Sequence, residues 1–226
     1  KLLLSADYSQ VELRVMAHLA DEPGMQEAFR KGLDIHRETA ADIFGVFPDL
    51  VTPRQRSAAK TINFGILYGM GPQRLARQIG VSQKEAKAFI DRYFERFTGV
   101  RAFVERTLQQ ARQTGEVRTL FGRRRPVPDL ASPNQMARAG AERIAVNTPV
   151  QGTAADLIKR AMILVDRELR VRGLQARLLL QVHDELVLEV PEAEVAAVTD
   201  LVREAMQGAA EIAVPLHVDI GTGRNW

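Results

Sequence analysis

Cysteine is absent from the 226 residues. That excludes disulfides and thiolate zinc sites and fits a reducing compartment. Histidine is nearly absent as well: His18, His36, His183 and His217 are the only four, and no two stand at zinc-ligand spacing. A metal bound here is therefore expected to be a hard, oxygen-coordinated ion. No apolar run approaches the roughly 18 residues of a membrane span. The opening residues carry no signal-peptide pattern, so no membrane partner is expected. Internal repeats and low-complexity segments are missing too. Lys1 stands where a complete chain would start with methionine, which is the expectation for a piece of a longer polypeptide.

What remains is the composition of an ordinary globular protein, 46% hydrophobic and 26% charged, long enough for one large domain or two small ones. The net charge is only +3, but it is unevenly spread. Residues 101–125 hold seven arginines against Glu105 and Glu116, while residues 192–211 hold five acids against Arg203. The basic stretch, ending in Arg123, Arg124 and Arg125, suits a phosphate grip or a solvated basic face equally well.

The strand patterns fall at the two ends. Residues 2–7 read as a short buried strand feeding a helix over about 9–20, which Asp21, Glu22, Pro23 and Gly24 end. A short helix comes next, over 34–44. Pro53 suits a first helical position, and its helix runs to Tyr68, stopped by Gly69 and Gly71. Ser82 and Glu85 form a capping box opening about 15 helical residues. Another amphipathic helix covers 100–113, residues 119–129 read as irregular, and Ser132 with Gln135 signals a further helix start. Residues 151–172 are strongly helical, and 178–190 alternate about a polar centre as a β-hairpin does. A helix near 192–207 and a strand over 216–220 close the chain. The expected class is α+β: an antiparallel sheet backed by helices, with a helical insertion after its first strand.

Arg56, Lys60, Phe64 and Tyr68 recur every four residues and share one helix face, a ridge roughly 18 Å long. Two cations occupy one end and two aromatic rings the other. A nucleoside triphosphate has the same polarity, phosphates at one end and a stackable base at the other. The alternative is that both rings are core and both cations surface. Asp7 ends the first strand and Asp184 sits at the hairpin centre. Buried acids there are costly unless paired or metal-bound, so two converging carboxylates would suit a pair of divalent ions. Read singly, Asp7 caps a helix and Asp184 shapes a turn.

Together these residues resemble a family. The run DYSQVELR over 7–14 looks like the first catalytic motif of A-family DNA polymerases, the bacterial DNA polymerase I group. Arg56, Lys60, Asn63, Phe64, Gly65, Tyr68 and Gly69 are spaced like the second, and VHDE over 182–185 resembles the third. The resemblance implies an antiparallel palm sheet over 1–20 and 141–226, and mostly helical fingers over 21–140. It implies a monomeric, template-directed DNA polymerase core in the bacterial cytoplasm, associated with the nucleoid. Its cofactors would be two magnesium ions, its substrates deoxynucleoside triphosphates, and its partners primer–template DNA and a thumb segment not found among these residues.

The resemblance also assigns roles. Asp7 and Asp184 would hold the metals with the Tyr8 carbonyl, and Glu185 would support them. Gln10, His36, Arg56 and Lys60 would hold the triphosphate, with Lys60 also a proton donor to the leaving pyrophosphate. Glu12 would select deoxyribose, Phe64 would pack on the nucleotide, and Tyr68 would sit near the templating base. Phenylalanine at 64 resembles members that discriminate against dideoxynucleotides. Arg143, Asn147 and Gln151 would read primer–template, although Pro149 argues against one unbroken helix through them. Gln181 and His183, alternating onto one face of the hairpin strand, would approach the primer terminus. The fingers helix is expected to close on a matched nucleotide, with residues 69–71 giving backbone freedom. Two other readings are a single-subunit RNA polymerase-like nucleotidyltransferase and a catalytically silent binding module.

Overall fold

A computed structural model describes all of residues 1–226. The first strand β1 (Leu2–Tyr8) precedes seven helices: α1 (Val11–Leu19), α2 (Pro23–Arg30), α3 (Ile35–Phe44), α4 (Pro53–Leu67), α5 (Pro72–Ile79), α6 (Gln83–Arg96) and α7 (Thr98–Thr114). A short hairpin of β2 (Glu116–Arg118) and β3 (Arg124–Pro126) leads to α8 (Gln135–Val171). Then come β4 (Arg177–Val182), β5 (Glu185–Val190), α9 (Val195–Gln207) and β6 (Val218–Gly223). The class is α+β, as the strand and helix patterns imply. No helix is long and apolar enough to cross a membrane.

Two compact units divide the chain, one of residues 1–12 with 153–226 and one of residues 13–152. In the first, an antiparallel sheet has the order β4-β5-β1-β6. The first strand in sequence is thus an interior strand of the sheet. Leu4, Ala6 and Tyr8 alternate onto its buried face, while Leu3, Ser5 and Asp7 point to the half-exposed one. Burying such apolar side chains contributes about 1.5–3 kcal/mol for each large one. The helix α9 covers the buried face with Val198, Leu201, Val202 and Met206, and the Tyr8 hydroxyl donates to the Met206 carbonyl at 2.5 Å.

In the second unit, α4 starts as its sequence dictates. Pro53 occupies the first turn, where a missing N–H costs nothing, and Thr52 with Gln55 completes a capping box. Its inner face is Ala59, Ile62, Asn63, Ile66 and Leu67, and α3 packs beside it. Ser82 and Glu85 cap α6 in the same reciprocal way.

Four local expectations need correction. The first helix ends before Asp21 as expected, but Pro23 then opens α2 from a Glu22 cap and Pro72 opens α5, two helices that were not expected. Residues 119–129 are not all irregular: Arg118 pairs with Arg124 and Glu116 with Pro126 across a hairpin. Pro149 does not break the helix, which runs unbroken from Gln135 to Val171. A proline removes one rung of the ladder. Here Ala145, Val146 and Val150 around it are buried and Thr148 Oγ1 donates to the Ile144 carbonyl at 2.7 Å, so packing and this extra bond hold the turn. His183 lies in the β4–β5 turn rather than on the strand.

Gly99 and Gly140 test the packing in opposite directions. A Cβ at Gly99 would lie 2.7 Å from the Ala20 carbonyl and 2.9 Å from Glu22 Oε2, which already accepts from the Gly99 N–H. Gly99→Ala is expected to lower stability by about 1–3 kcal/mol in chemical denaturation. At Gly140 a Cβ meets only the end of Arg143 at 3.8 Å, so Gly140→Ala should raise stability by about 0.5–1 kcal/mol.

Candidate active site

Sheet register assembles the acids. Asp7 lies directly across from Glu185 on β5 and from Asp219 on β6, three acids side by side on neighbouring strands. Asp184 joins them from the two-residue turn between β4 and β5, whose backbone the Tyr8 N–H ties down by donating to the Asp184 carbonyl at 3.2 Å. The Asp7 and Asp184 carboxyl groups are near enough to act on each other electrostatically. Partial burial, then the charges of Asp184, Glu185 and Asp219, push the Asp7 carboxyl up to about 6. Asp219 is the member the sequence reading missed, and its only signal was a place on the last strand.

Backbone strain marks the same region. Only three non-glycine residues have positive φ, and two are Gln10 and His183, both at 54°. Such conformations cost about 1–3 kcal/mol each and persist where surrounding structure imposes them. Glu185 is held off Asp7 by two donors: Ser5 Oγ at 2.5 Å and Trp226 Nε1 at 2.8 Å both meet its Oε1. The exposed Gln181 donates to the His183 carbonyl at 2.5 Å. Glu12 sits half-buried in the first turn of α1.

The donor set is all oxygen. No three or more His, Asp or Glu side chains converge as a ready-made cage. Magnesium does not need one, because it takes one or two protein carboxylates and fills its other positions with water and phosphate. The Asp7–Asp184 pair fits that requirement.

The second unit carries the cationic ridge. Lys60 is exposed and Arg56, Phe64 and Tyr68 half-buried, so these side chains stand outside the core face of α4. Phe64 and Tyr68 stack with centroids 6.4 Å apart and an 18° interplanar angle. Tyr68 itself is the C-cap residue. Arg56 Nε donates to Asp34 Oδ2 at 2.5 Å, and Asp34 also caps α3 by accepting from the His36 and Arg37 N–H groups. Burial works against the Asp34 carboxylate, yet the bonds from Arg56, Arg37 and His36 hold it below its usual range. His36 is buried and lies 5.8 Å from the Phe64 ring. Burial pushes its pKa down to about 4; Asp34 opposes the shift, while Arg56 and Lys60 reinforce it.

One helix presents Arg143, Asn147 and Gln151, with Arg143 and Gln151 exposed. Asn147, oriented to satisfy its amide, donates to the Leu67 carbonyl at the end of α4. A Cβ on Gly69 would lie 2.9 Å from the Arg143 stem, so that end of α4 and the middle of α8 are in close contact.

Known proteins resemble this chain in sequence and in fold. The family model described as DNA polymerase family A matches residues 1–226. The thermostable DNA polymerase I of Thermus filiformis is 57% identical over 225 residues, covering 100% of this chain and 27% of that protein. DNA polymerase I of Pseudomonas aeruginosa is also 57% identical, over 99% of this chain and 24% of its own length. The chain therefore spans about a quarter of these curated relatives. A solved structure titled as the POL domain of Pol1 from M. smegmatis in complex with DNA primer-template and dNTP superposes with a TM-score of 0.96 at 47% identity. It covers 99% of this chain and 40% of that one.

Crowding of the acids has a thermodynamic signature. Because folding raises the Asp7 pKa above 3.8, its contribution to stability is full below that value and lost as pH rises to about 6. In metal-free buffer, Asp7→Asn is expected to melt higher than the parent at neutral pH, with the gap closing below pH 4. Equal melting temperatures across that window would show the carboxylates are not in conflict.

Proposed function

The chain belongs to DNA polymerase family A, and from that premise we propose that it is the palm and fingers core of a template-directed DNA polymerase. It extends a primer 3′-hydroxyl with deoxynucleoside triphosphates. The observation that carries this reading is the convergence of Asp7 and Asp184, two acids from opposite ends of the chain that the sheet and the Tyr8 N–H bring together. The ligands named for the M. smegmatis relative, primer-template DNA and a dNTP, are those this reading requires.

Residues 1–20 and 141–226 form the palm in this proposal, and residues 21–140 the fingers. Asp7, Asp184 and the Tyr8 carbonyl would hold two magnesium ions. When bound, those ions lower the charge barrier to attack of the 3′-hydroxyl on the α-phosphorus and to departure of pyrophosphate. The protein's own groups do the rest. Arg56, Lys60, His36 and Gln10 bind the triphosphate, the guanidinium as a forked donor and the ammonium as a point charge. Lys60 delivers a proton to the departing pyrophosphate. Glu12 blocks a ribose 2′-hydroxyl by bulk, Phe64 packs on the incoming nucleotide, and Tyr68 borders the templating base. Arg143, Asn147 and Gln151, with Gln181 and His183, contact primer and template. Glu185, tethered by Ser5 and Trp226, sets the field around Asp7. The core acts as a monomer in the bacterial cytoplasm, and a thumb segment completes its grip on DNA.

Primer extension with magnesium and one matched deoxynucleotide tests the reading. Asp184→Ala is expected to lose at least about a hundredfold in rate. Equal extension by parent and variant would remove the carboxylate assignment. If the parent needs a fused thumb to extend, the comparison is made in that fusion. In the same assay Glu12→Ala should admit ribonucleotides, and unchanged sugar selectivity would sink its role as a steric gate.

A further inference from the structure

Asn63 lies on the core face of α4 and is fully buried, an unusual place for an amide among Ala59, Ile62 and Ile66. Its Nδ2 is 3.0 Å from His36 Nδ1 and 3.1 Å from Thr39 Oγ1. The Thr39 hydroxyl lies 2.7 Å from the Ile35 carbonyl and 3.2 Å from Asn63 Oδ1, and the shorter contact takes its proton. With its one proton committed there, Thr39 Oγ1 accepts from one amide N–H. The other amide N–H points at His36 Nδ1, which must accept. A ring whose Nδ1 accepts carries its proton on Nε2. No buried polar side-chain atom in the chain lacks a partner, and no group of the chain pairs with Nε2, so that edge keeps a narrow opening to solvent in a residue that is only 2% exposed.

The cations are close by. Arg56 and Lys60 both act electrostatically on His36, and Asp34 connects the Arg56 guanidinium to the backbone N–H of His36 itself. We infer that Asn63 is a positioning residue: its amide fixes His36 with Nδ1 accepting and Nε2 protonated, so the ring offers an N–H donor to a phosphate oxygen beside Arg56 and Lys60. The inference rests on the triphosphate reading of that ridge and adds to it the group that aims one of its donors. Burial keeps the ring uncharged at neutral pH, so without Asn63 either nitrogen carries the proton. The wrong tautomer turns a lone pair toward the anion.

Long-range proton–nitrogen correlation spectra of the histidine rings in the 226-residue chain test the device without any ligand. His36 is expected to show an unprotonated Nδ1 and a protonated Nε2 at neutral pH. Asn63→Asp keeps the shape but places an acceptor against Nδ1, so Nδ1 should become protonated. Thr39→Val, which frees the amide to turn, serves if that variant fails to fold and should give a mixture of tautomers. Binding of magnesium–dATP, measured by calorimetry, is expected to weaken about tenfold in Asn63→Asp, the effect of one lost bond to a charged group. A parent ring protonated on Nδ1, or tautomers unchanged in both variants, overturns the inference. Unchanged affinity in Asn63→Asp while Arg56→Ala weakens binding overturns its phosphate role alone. Unchanged affinity in both variants overturns the triphosphate reading beneath it.

Discussion

Everything in the first unit depends on holding Asp7 against other acids. Left to itself, a carboxylate beside Asp184, Glu185 and Asp219 would swing away or keep its proton; the fold prevents the first, and burial with these charges raises the Asp7 pKa toward the second. Three features oppose the repulsion. Asp7 is on an interior strand, clamped on both edges by β5 and β6. The next residue, Tyr8, is anchored on the opposite face through Met206 and fixes the turn that carries Asp184 through its own N–H. Glu185, the acid directly across the ladder, is drawn toward Ser5 and Trp226. An arrangement of crowded acids that works against stability belongs to function rather than to folding.

The second unit makes the opposite arrangement with the same economy. Arg56 and Lys60 stand on one ridge, where a third positive charge would add repulsion. His36 is buried enough to remain neutral, so the ring sits beside the two cations without adding a third charge. Asp34 neutralises part of Arg56 while capping α3, one carboxylate serving a helix terminus and a guanidinium at once. The ridge is therefore supported from α3, and the pairing of these two helices is part of the site as well as of the core.

The range of each interaction decides how legible it was in the sequence. The Asp7 strand, the α4 ridge, the two capping boxes and the hairpin around Asp184 are written in neighbouring residues, so periodicity and turn chemistry reveal them. The helices α2 and α5 escaped because proline both stops a helix and starts one, and only the packing of the residues after it decides. Pro149 was misread because the local rule that a proline breaks a helix yields where buried neighbours pin the chain. The β2–β3 hairpin escaped because each strand is only three residues long, too short for alternation to register. Asp219 escaped because its importance is a register across two strands, which no single strand declares.

Asn63 is the instructive case, since its signal was present and went unread as structure. The four-residue repeat drew attention to the side chains facing outward, while the anomaly sat one step around the helix. A buried amide on an apolar stripe costs energy unless every donor finds an acceptor. Both of its partners lie on one short helix twenty-odd positions earlier, the ring of His36 and the hydroxyl of Thr39, which is itself tied to the Ile35 carbonyl. An amide among alanines and isoleucines therefore implies a second helix bearing polar groups at matching spacing, and His36 and Thr39, three apart on α3, supply it. Where a polar residue interrupts a core face, the groups that satisfy it are candidates for the site, and so is whatever they leave facing outward.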